Sequence, residues 1–302
     1  MKKLTNGDYQ ALQGLFSNQP YRLSNYSLPS LIAWSRTCHE NRYAVSEGGV
    51  FLATVAAGNP ADSFMHLPVL AEGIPSPEEL RAMLQRWGYR KVCFVPEDYL
   101  EKFHGEALAS LFHVCEQVEY ADYIYLAKDL AELKGKRYSK KRNLIHQFER
   151  EYVLRNRVVT GPLTEGEAPE SLAFLEKWCE LRDCDADQEE NEACERLAVI
   201  HALETIDLLD WRGIWVRIDG EISAFAIMSP LTADMGVLNF EKAFPQIKGL
   251  YQFLDRECAR QLFHDCHYIN KESDMGITAL ADSKKSYCPV EKIRSYCLTL
   301  RS

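Results

Sequence analysis

The stretch Lys134 to Arg157 reads KGKRYSKKRNLIHQFEREYVLRNR. It holds nine bases and two acids, a net of +7, inside a 302-residue chain whose net charge is −9. A basic block set in an acidic chain predicts a local site for a polyanion rather than a generally sticky surface. Placed on a helix at 100° per residue, Tyr138, Ile145, Phe148 and Tyr152 form one apolar stripe. Lys136, Lys140, Asn143, Gln147 and Arg150 form the opposite, wet face. Arg137 and Lys141 fall beside the apolar stripe, one turn apart. A cation there must snorkel, pair with a carboxylate or line a cleft. The acids on this helix point the wrong way to pair with both, so cleft lining is the expectation. Arg137 offers a fork and Lys141 a point charge, a combination suited to phosphate.

Reading outward from this segment, each half of the chain mixes hairpins with helices. Upstream, a helix is expected over Asp8–Phe16. Strands at Arg42–Val45 and Val50–Val55 follow, joined through Glu47-Gly48-Gly49, then a short extended piece at Met65–Val69. Ser76-Pro77-Glu78-Glu79 supplies an N-cap, a proline at the first helical position and acids in the first turn. That helix should run to Trp87 and stop at Gly88. Strands at Lys91–Val95 and Tyr120–Leu126 complete the first half, with Asp129 capping what comes next. Downstream, Pro169–Leu181 and Glu192–Leu208 read as helices. Gly213–Ile218 and Glu221–Ser229 alternate around Asp219-Gly220, a type I′ turn signal. Met235–Ala243, Cys266–Asn270 and Pro289–Leu300 read as strands, Gly249–Phe263 and Thr278–Lys285 as helices. The same α+β pattern seen twice predicts two tandem domains, residues 1–133 and 134–302, the second beginning with the basic helix.

The bulk composition sets limits. Hydrophobic residues make up 46% and charged residues 26%, the balance of an ordinary globular chain. Net acidity argues against a nucleic-acid coat protein. No apolar run reaches the roughly 18 residues needed to span a bilayer, and no apolar segment follows the charged start, so a cytoplasmic protein is expected. The ten cysteines contain no CxxC pair, and without a secretory signal they read as free thiols. Cys258, His264, Cys266 and His267 cluster in sequence but match no standard zinc spacing, so no metal site is assigned.

Three blocks carry a family resemblance. The first is the run from Lys134 to Tyr152. The second is Asn239-Phe-Glu-Lys-Ala243 with Gly249-Leu-Tyr-Gln252. The third is Ile269-Asn-Lys-Glu-Ser-Asp-Met-Gly-Ile277, followed by Leu280, Lys284, Ser286, Tyr287 and Pro289. Together with the aromatic segment through Trp34, they resemble the phosphatidylglycerol lysyltransferase C-terminal domain family across nearly the whole chain. The resemblance implies two tandem folds of the GCN5-related N-acyltransferase (GNAT) type. It also implies aminoacyl transfer from a charged tRNA to an amine or hydroxyl acceptor, such as a small amine, a peptide or a lipid head group. In the membrane enzymes this domain follows many transmembrane helices, and this chain has none. The fold type also implies a pyrophosphate-binding turn for acyl-CoA. Gln246-Ile247-Lys248-Gly249-Leu250-Tyr251 offers the glutamine and the first glycine, but Tyr251 stands where a small residue is needed.

Acyl transfer needs positioning, a route for a proton and polarisation of a carbonyl. Glu241, Glu272, Asp274 and Tyr287 are the catalytic candidates. Arg137, Lys140, Lys141, Asn143, Lys242, Gly249, Asn270 and Lys284 are the candidates for holding a phosphate-bearing substrate. The acidic run Asp183 to Glu195 reads as a solvated loop. His201, at helical spacing with Leu197, Ile200 and Leu208, reads as a core histidine. The first functional expectation is an acyltransferase or aminoacyltransferase with aminoacyl-tRNA as donor. Two alternatives stand beside it: a non-catalytic binder of a phosphate-bearing ligand, and a CoA-dependent N-acetyltransferase, which Tyr251 disfavours.

Overall fold

The structure is a computed structural model that describes residues 1–37, 39–46, 48–56, 60–103, 106–182 and 189–301. Two mixed sheets organise it. The first runs in the order Lys2–Lys3, His39–Ser46, Gly49–Ala56, Phe64–Met65, Lys91–Pro96, Ser295–Leu300, Phe112–Glu116, with Val69–Leu70 also pairing with Gly49–Ala56. The second runs Glu291–Ile293, Asp122–Leu126, Tyr268–Asn270, Met235–Ala243, Glu221–Thr232, Arg212–Ile218, Val158–Pro162.

Local signals explain much of this. The helix Pro77–Trp87 carries a full capping box between Ser76 and Glu79 and ends at Gly88 with φ 75°. Asp219 and Gly220 both take positive φ, 54° and 89°, as a type I′ hairpin turn requires. Strand Arg212–Ile218 alternates by period two. Ile214, Val216 and Ile218 face one helical layer, while Trp215 faces the other core. The basic segment forms a short 3₁₀ turn at Lys136–Tyr138 and then the helix Ser139–Glu151, with Tyr138, Ile145 and Phe148 buried.

Three expectations need correction. Pro289–Leu300 is not one strand. Glu291–Ile293 joins the second sheet, and Ser295–Leu300 crosses to the first, where it lies between Lys91–Pro96 and Phe112–Glu116. Periodicity alone cannot register a change of sheet. Asp129 lies inside the helix Ala127–Glu132 rather than capping it, and accepts a bond from Arg137 instead. Cys194 is disulfide-bonded, so the expectation of free thiols, which rested on the missing secretory signal, fails at that residue. Residues 183–188 of the acidic run lie outside the described residues, while the rest of the run, 189–195, is not loop but the start of the helix Glu189–Glu204. His201 is buried, as the helical spacing predicts.

Each sheet contains one parallel pair that separates. Met235–Ala243 and Tyr268–Asn270 are in register only from Met235 opposite Tyr268 to Val237 opposite Asn270. In the first sheet, Phe64–Met65 and Lys91–Pro96 meet at Met65 opposite Val92 alone. Two parallel strands that part company open a wedge in the sheet. The wedge of the second sheet holds the functional candidates.

Candidate functional site

The wedge starts with an irregularity. Ile227 pairs with Phe240 and Met228 with Leu238, leaving Asn239 as an extra residue without a partner on Glu221–Thr232. Such a bulge re-aims side chains and is common beside functional sites. Past it stands Glu241. Across the gap, Asn270 ends its strand, and Lys271 and Glu272 follow in the loop. The helix Leu250–Gln261 packs behind the wedge and buries Asp255 on its apolar side.

These groups form a compact polar cluster. Lys271 Nζ lies 2.8 Å from Asp255 Oδ2 and 3.5 Å from Glu241 Oε2. The three side chains are 10%, 4% and 18% exposed, so the charges are largely desolvated. Burial opposes the Lys271 ammonium, but Asp255 and Glu241 more than offset it and raise its pKa. Burial pushes the Glu241 carboxyl up to about 7, against the pull of Lys271 and with the help of Asp255. Tyr287 is buried, and burial followed by the Asp255 and Glu241 charges raises its phenol well above the usual range. Its ring carries two ammonium groups, Lys141 Nζ at 3.7 Å and Lys271 Nζ at 4.8 Å from the centroid. Burial lowers the Lys141 pKa, with Lys271 adding to the effect and Asp255 and Glu241 opposing it.

A second group adjoins the first. Glu272 takes φ 57°, a left-handed conformation rare for a glutamate. Asn270 imposes this turn: its Oδ1 accepts from the Glu272 amide at 2.7 Å, while its Nδ2 donates to Asp122 Oδ2 at 2.8 Å and to the Arg22 carbonyl at 3.0 Å. Lys284 Nζ clamps the same loop, donating to the carbonyls of Lys271 and Ser273, each at 2.5 Å. Burial raises the Glu272 pKa, with Lys284 opposing, and burial lowers that of Lys284, with Glu272 opposing. Asp274 is fixed by the Tyr123 hydroxyl at 2.5 Å, the Gly276 amide at 3.0 Å and Lys292 at 3.3 Å. Burial works against its charge, but these bonds win and its pKa falls.

The structure therefore brings Glu241, Glu272, Asp274, Tyr287, Lys141, Asn270 and Lys284 to one region. Other candidates fall elsewhere. Arg137 is half exposed and pairs with Asp129 at 2.5 Å. Lys140 and Asn143 are exposed on the outer face of the basic helix. Lys242 points to the opposite side of its strand from Glu241. It pairs there with Glu195 at 2.9 Å and lies 4.3 Å from the centroid of Trp178. Gly249 takes φ 86°, and a Cβ there would collide with the Leu144 carbonyl and lie 3.0 Å from Phe148 Cβ. The approach of the basic helix accounts for this glycine. The Tyr251 hydroxyl accepts from Trp178 Nε1 at 3.2 Å.

Sequence reasoning missed Asp255, Lys271 and Asn239. The first had a signal, an acid on the apolar face of an amphipathic helix. Lys271 lay within a quoted motif, but its partner came from a distant helix. The bulge at Asn239 left no trace in the residue pattern. Among the described residues, no group of three or more His, Cys, Asp or Glu side chains could hold a metal, and no helix is long and apolar enough to cross a membrane. Two cavities, about 310 Å³ beside Tyr21 and Tyr99 and about 180 Å³ beside Tyr9 and Pro230, lie away from the polar cluster.

The comparisons agree with this architecture. A conserved protein of unknown function from Bacteroides thetaiotaomicron superposes with a TM-score of 0.89 at 28% identity, covering 99% of each chain. The C-terminal domain of a putative lysylphosphatidylglycerol synthetase from Agrobacterium fabrum gives 0.65 at 13% identity, covering 97% of this chain and 92% of its own. A tandem GNAT protein from the clavulanic acid biosynthesis pathway gives 0.50 at 9% identity, covering 99% and 97%. No curated protein matches in sequence. The fold is thus a tandem GNAT-like α+β arrangement. Residues 24–299 match the family described as phosphatidylglycerol lysyltransferase, C-terminal, and with that match over most of its length the chain belongs to this family.

Proposed function

We propose that this protein is an acyltransferase that moves an aminoacyl group from an aminoacyl-tRNA to an amine or hydroxyl acceptor, with the reaction centred on Glu241. Family and fold support acyltransferase-like chemistry in general. The observation that carries the finer reading is Glu241. It is a buried carboxyl at the mouth of a split parallel pair, held up to about 7 and adjacent to a paired lysine. A carboxylate near that value can take up and release a proton at neutral pH. In the reaction, the acceptor nitrogen bonds to the ester carbonyl carbon and the ester C–O bond breaks. Glu241 takes the proton lost by the nitrogen, and that proton passes to the departing ribose oxygen. Lys271 and Asp255 hold Glu241 in place. Lys141 is the cation offered to the phosphates of the donor, and Lys140 and Asn143 extend the basic track outward. Lys242 and Gly249 already have structural roles and are not needed for donor binding.

The test uses a radiolabelled aminoacyl-tRNA pool incubated with the protein, with and without amine acceptors and phosphatidylglycerol vesicles. Label is expected to move only when acceptor is present. The rate should rise with pH through about 7 as Glu241 loses its proton, and Glu241→Gln should slow transfer by about 10²-fold or more and abolish that limb. Protection of the ester without turnover would replace the enzyme by a binding protein. Turnover only with acyl-CoA would replace the donor.

A further inference from the structure

A chain of buried hydrogen bonds runs into the wedge from the layer of the first sheet. Ser27 precedes the helix Leu28–Trp34 as its N-cap. Its Oγ lies 2.6 Å from Ser229 Oγ, on the strand Glu221–Thr232. Ser229 Oγ donates to Asn239 Oδ1 at 2.7 Å, and Asn239 Nδ2 donates to Glu272 Oε1 at 3.2 Å. Ser27, Ser229 and Asn239 are 1%, 0% and 7% exposed. The direction of the chain follows from counting protons. Ser229 spends its single proton on Asn239, so Ser27 must be the donor to Ser229. Asn239 Oδ1 is then occupied as an acceptor, and the amide nitrogen must face Glu272. Glu272 Oε1 is fixed as an acceptor. No hydrogen bond reaches Glu272 Oε2 among the described residues, so a proton on this carboxyl belongs on Oε2.

We propose that Ser229 and Asn239 are positioning residues that orient Glu272 as a neutral carboxylic acid, its Oε2 proton directed at the carbonyl oxygen of the acyl group during transfer. Glu272 keeps its proton throughout. It donates a hydrogen bond to the oxygen that gains negative charge when the acceptor nitrogen adds to the carbonyl carbon. A buried carboxylic acid can act as such a donor where its surroundings keep it neutral. The charged groups around Glu272 are Lys284 from the helix Thr278–Lys285, Asp122 from the strand Asp122–Leu126, and Glu195 from the helix Glu189–Glu204. Burial favours the neutral acid most and Asp122 and Glu195 add to it, while Lys284 and the Asn239 N–H bond oppose it. The left-handed backbone of Glu272, fastened by Asn270, sets the direction in which its side chain leaves the loop toward Asn239.

This inference rests on the transfer reaction proposed above, and its test separates the two. The first measurement needs no substrate: carbon-13 NMR titration of the glutamate carboxyls in the intact protein, with Glu272 assigned by Glu272→Gln. In Ser229→Ala the Asn239 amide is free to rotate and present its oxygen to Glu272, which would then donate inward. The Glu272 midpoint is expected to rise in that variant, and an unchanged midpoint would overturn the proposal even if transfer occurs. The second measurement is kinetic. Ser229→Ala should lower kcat by about tenfold to 10²-fold with little change in KM. Glu272→Gln, which retains an N–H donor, should keep more activity than Glu272→Ala and lose the alkaline fall in rate. Equal loss in both Glu272 variants would also overturn the proposal. Absence of transfer in the wild type, with the NMR shift present, would remove the reaction and leave the hydrogen-bonded chain standing.

Discussion

Arg137 and Lys141 lie one turn apart on the same helical face, yet they meet opposite environments. Arg137 reaches back to Asp129 and stays half exposed, while Lys141 turns in over the Tyr287 ring. The helical wheel gave both the same address. It could not see Asp129, which belongs to the preceding helix. The two therefore contribute differently. Arg137→Ala should change stability by less than about 1 kcal/mol, because the pair is solvent-screened, and should leave the affinity for an acceptor-stem RNA nearly unchanged. Lys141→Ala should weaken that affinity by about 1–3 kcal/mol if the ammonium meets phosphate in the half-buried mouth. Isothermal titration of the two variants checks this; equal losses would return Arg137 to the site.

At the scale of elements, the contact between the basic helix and the helix Leu250–Gln261 fixes the geometry behind the wedge. Phe148 packs on Phe253 at 4.8 Å between centroids, and Gly249 sits directly under the Leu144 carbonyl. A glycine there resembles the phosphate-binding turn of an acyl-CoA enzyme in sequence, but close helix packing and φ 86° already demand it. Gly249→Ala is expected to cost about 2 kcal/mol or more, through left-handed backbone strain and a forced separation of the two helices. Urea denaturation reads the loss. A neutral result would mean that the helices tolerate the displacement, and that the glycine serves something other than packing.

Across the whole molecule, sheet membership does not follow the division at residue 133. Asp122–Leu126 lies in the second sheet and Ser295–Leu300 in the first, and one apolar cluster runs from Leu4 and Tyr26 through to Phe225 and Phe240. The two halves therefore share a core and exchange strands. Removing residues 294–302 would leave two strands of the first sheet without their common neighbour and take the fully buried Leu298 out of the core, uncovering the apolar side chains around it. The truncated chain should lose cooperative folding of the first sheet. A single calorimetric transition in the full chain should become a broad or split one. Retention of one sharp transition at the same temperature would show that the C-terminal strand is dispensable.

Local chemistry was legible in the sequence wherever neighbours along the chain decide structure. The capping box at Ser76, the Asp219-Gly220 turn, the period of the strands and the buried stripe of Tyr138, Ile145 and Phe148 all depend on residues a few positions apart, and the family motifs were readable because they are contiguous. Long-range partners were not legible in that way. The pairing of Lys271 with Asp255, the bulge at Asn239, the crossing of Ser295–Leu300 and the chain from Ser27 to Glu272 join residues distant in sequence. A hydrogen bond or ion pair between such groups is set by how helices and sheets pack. The sequence alone thus determined many of the elements and the family they compose, while packing decided which strands share a sheet and which charges are buried together.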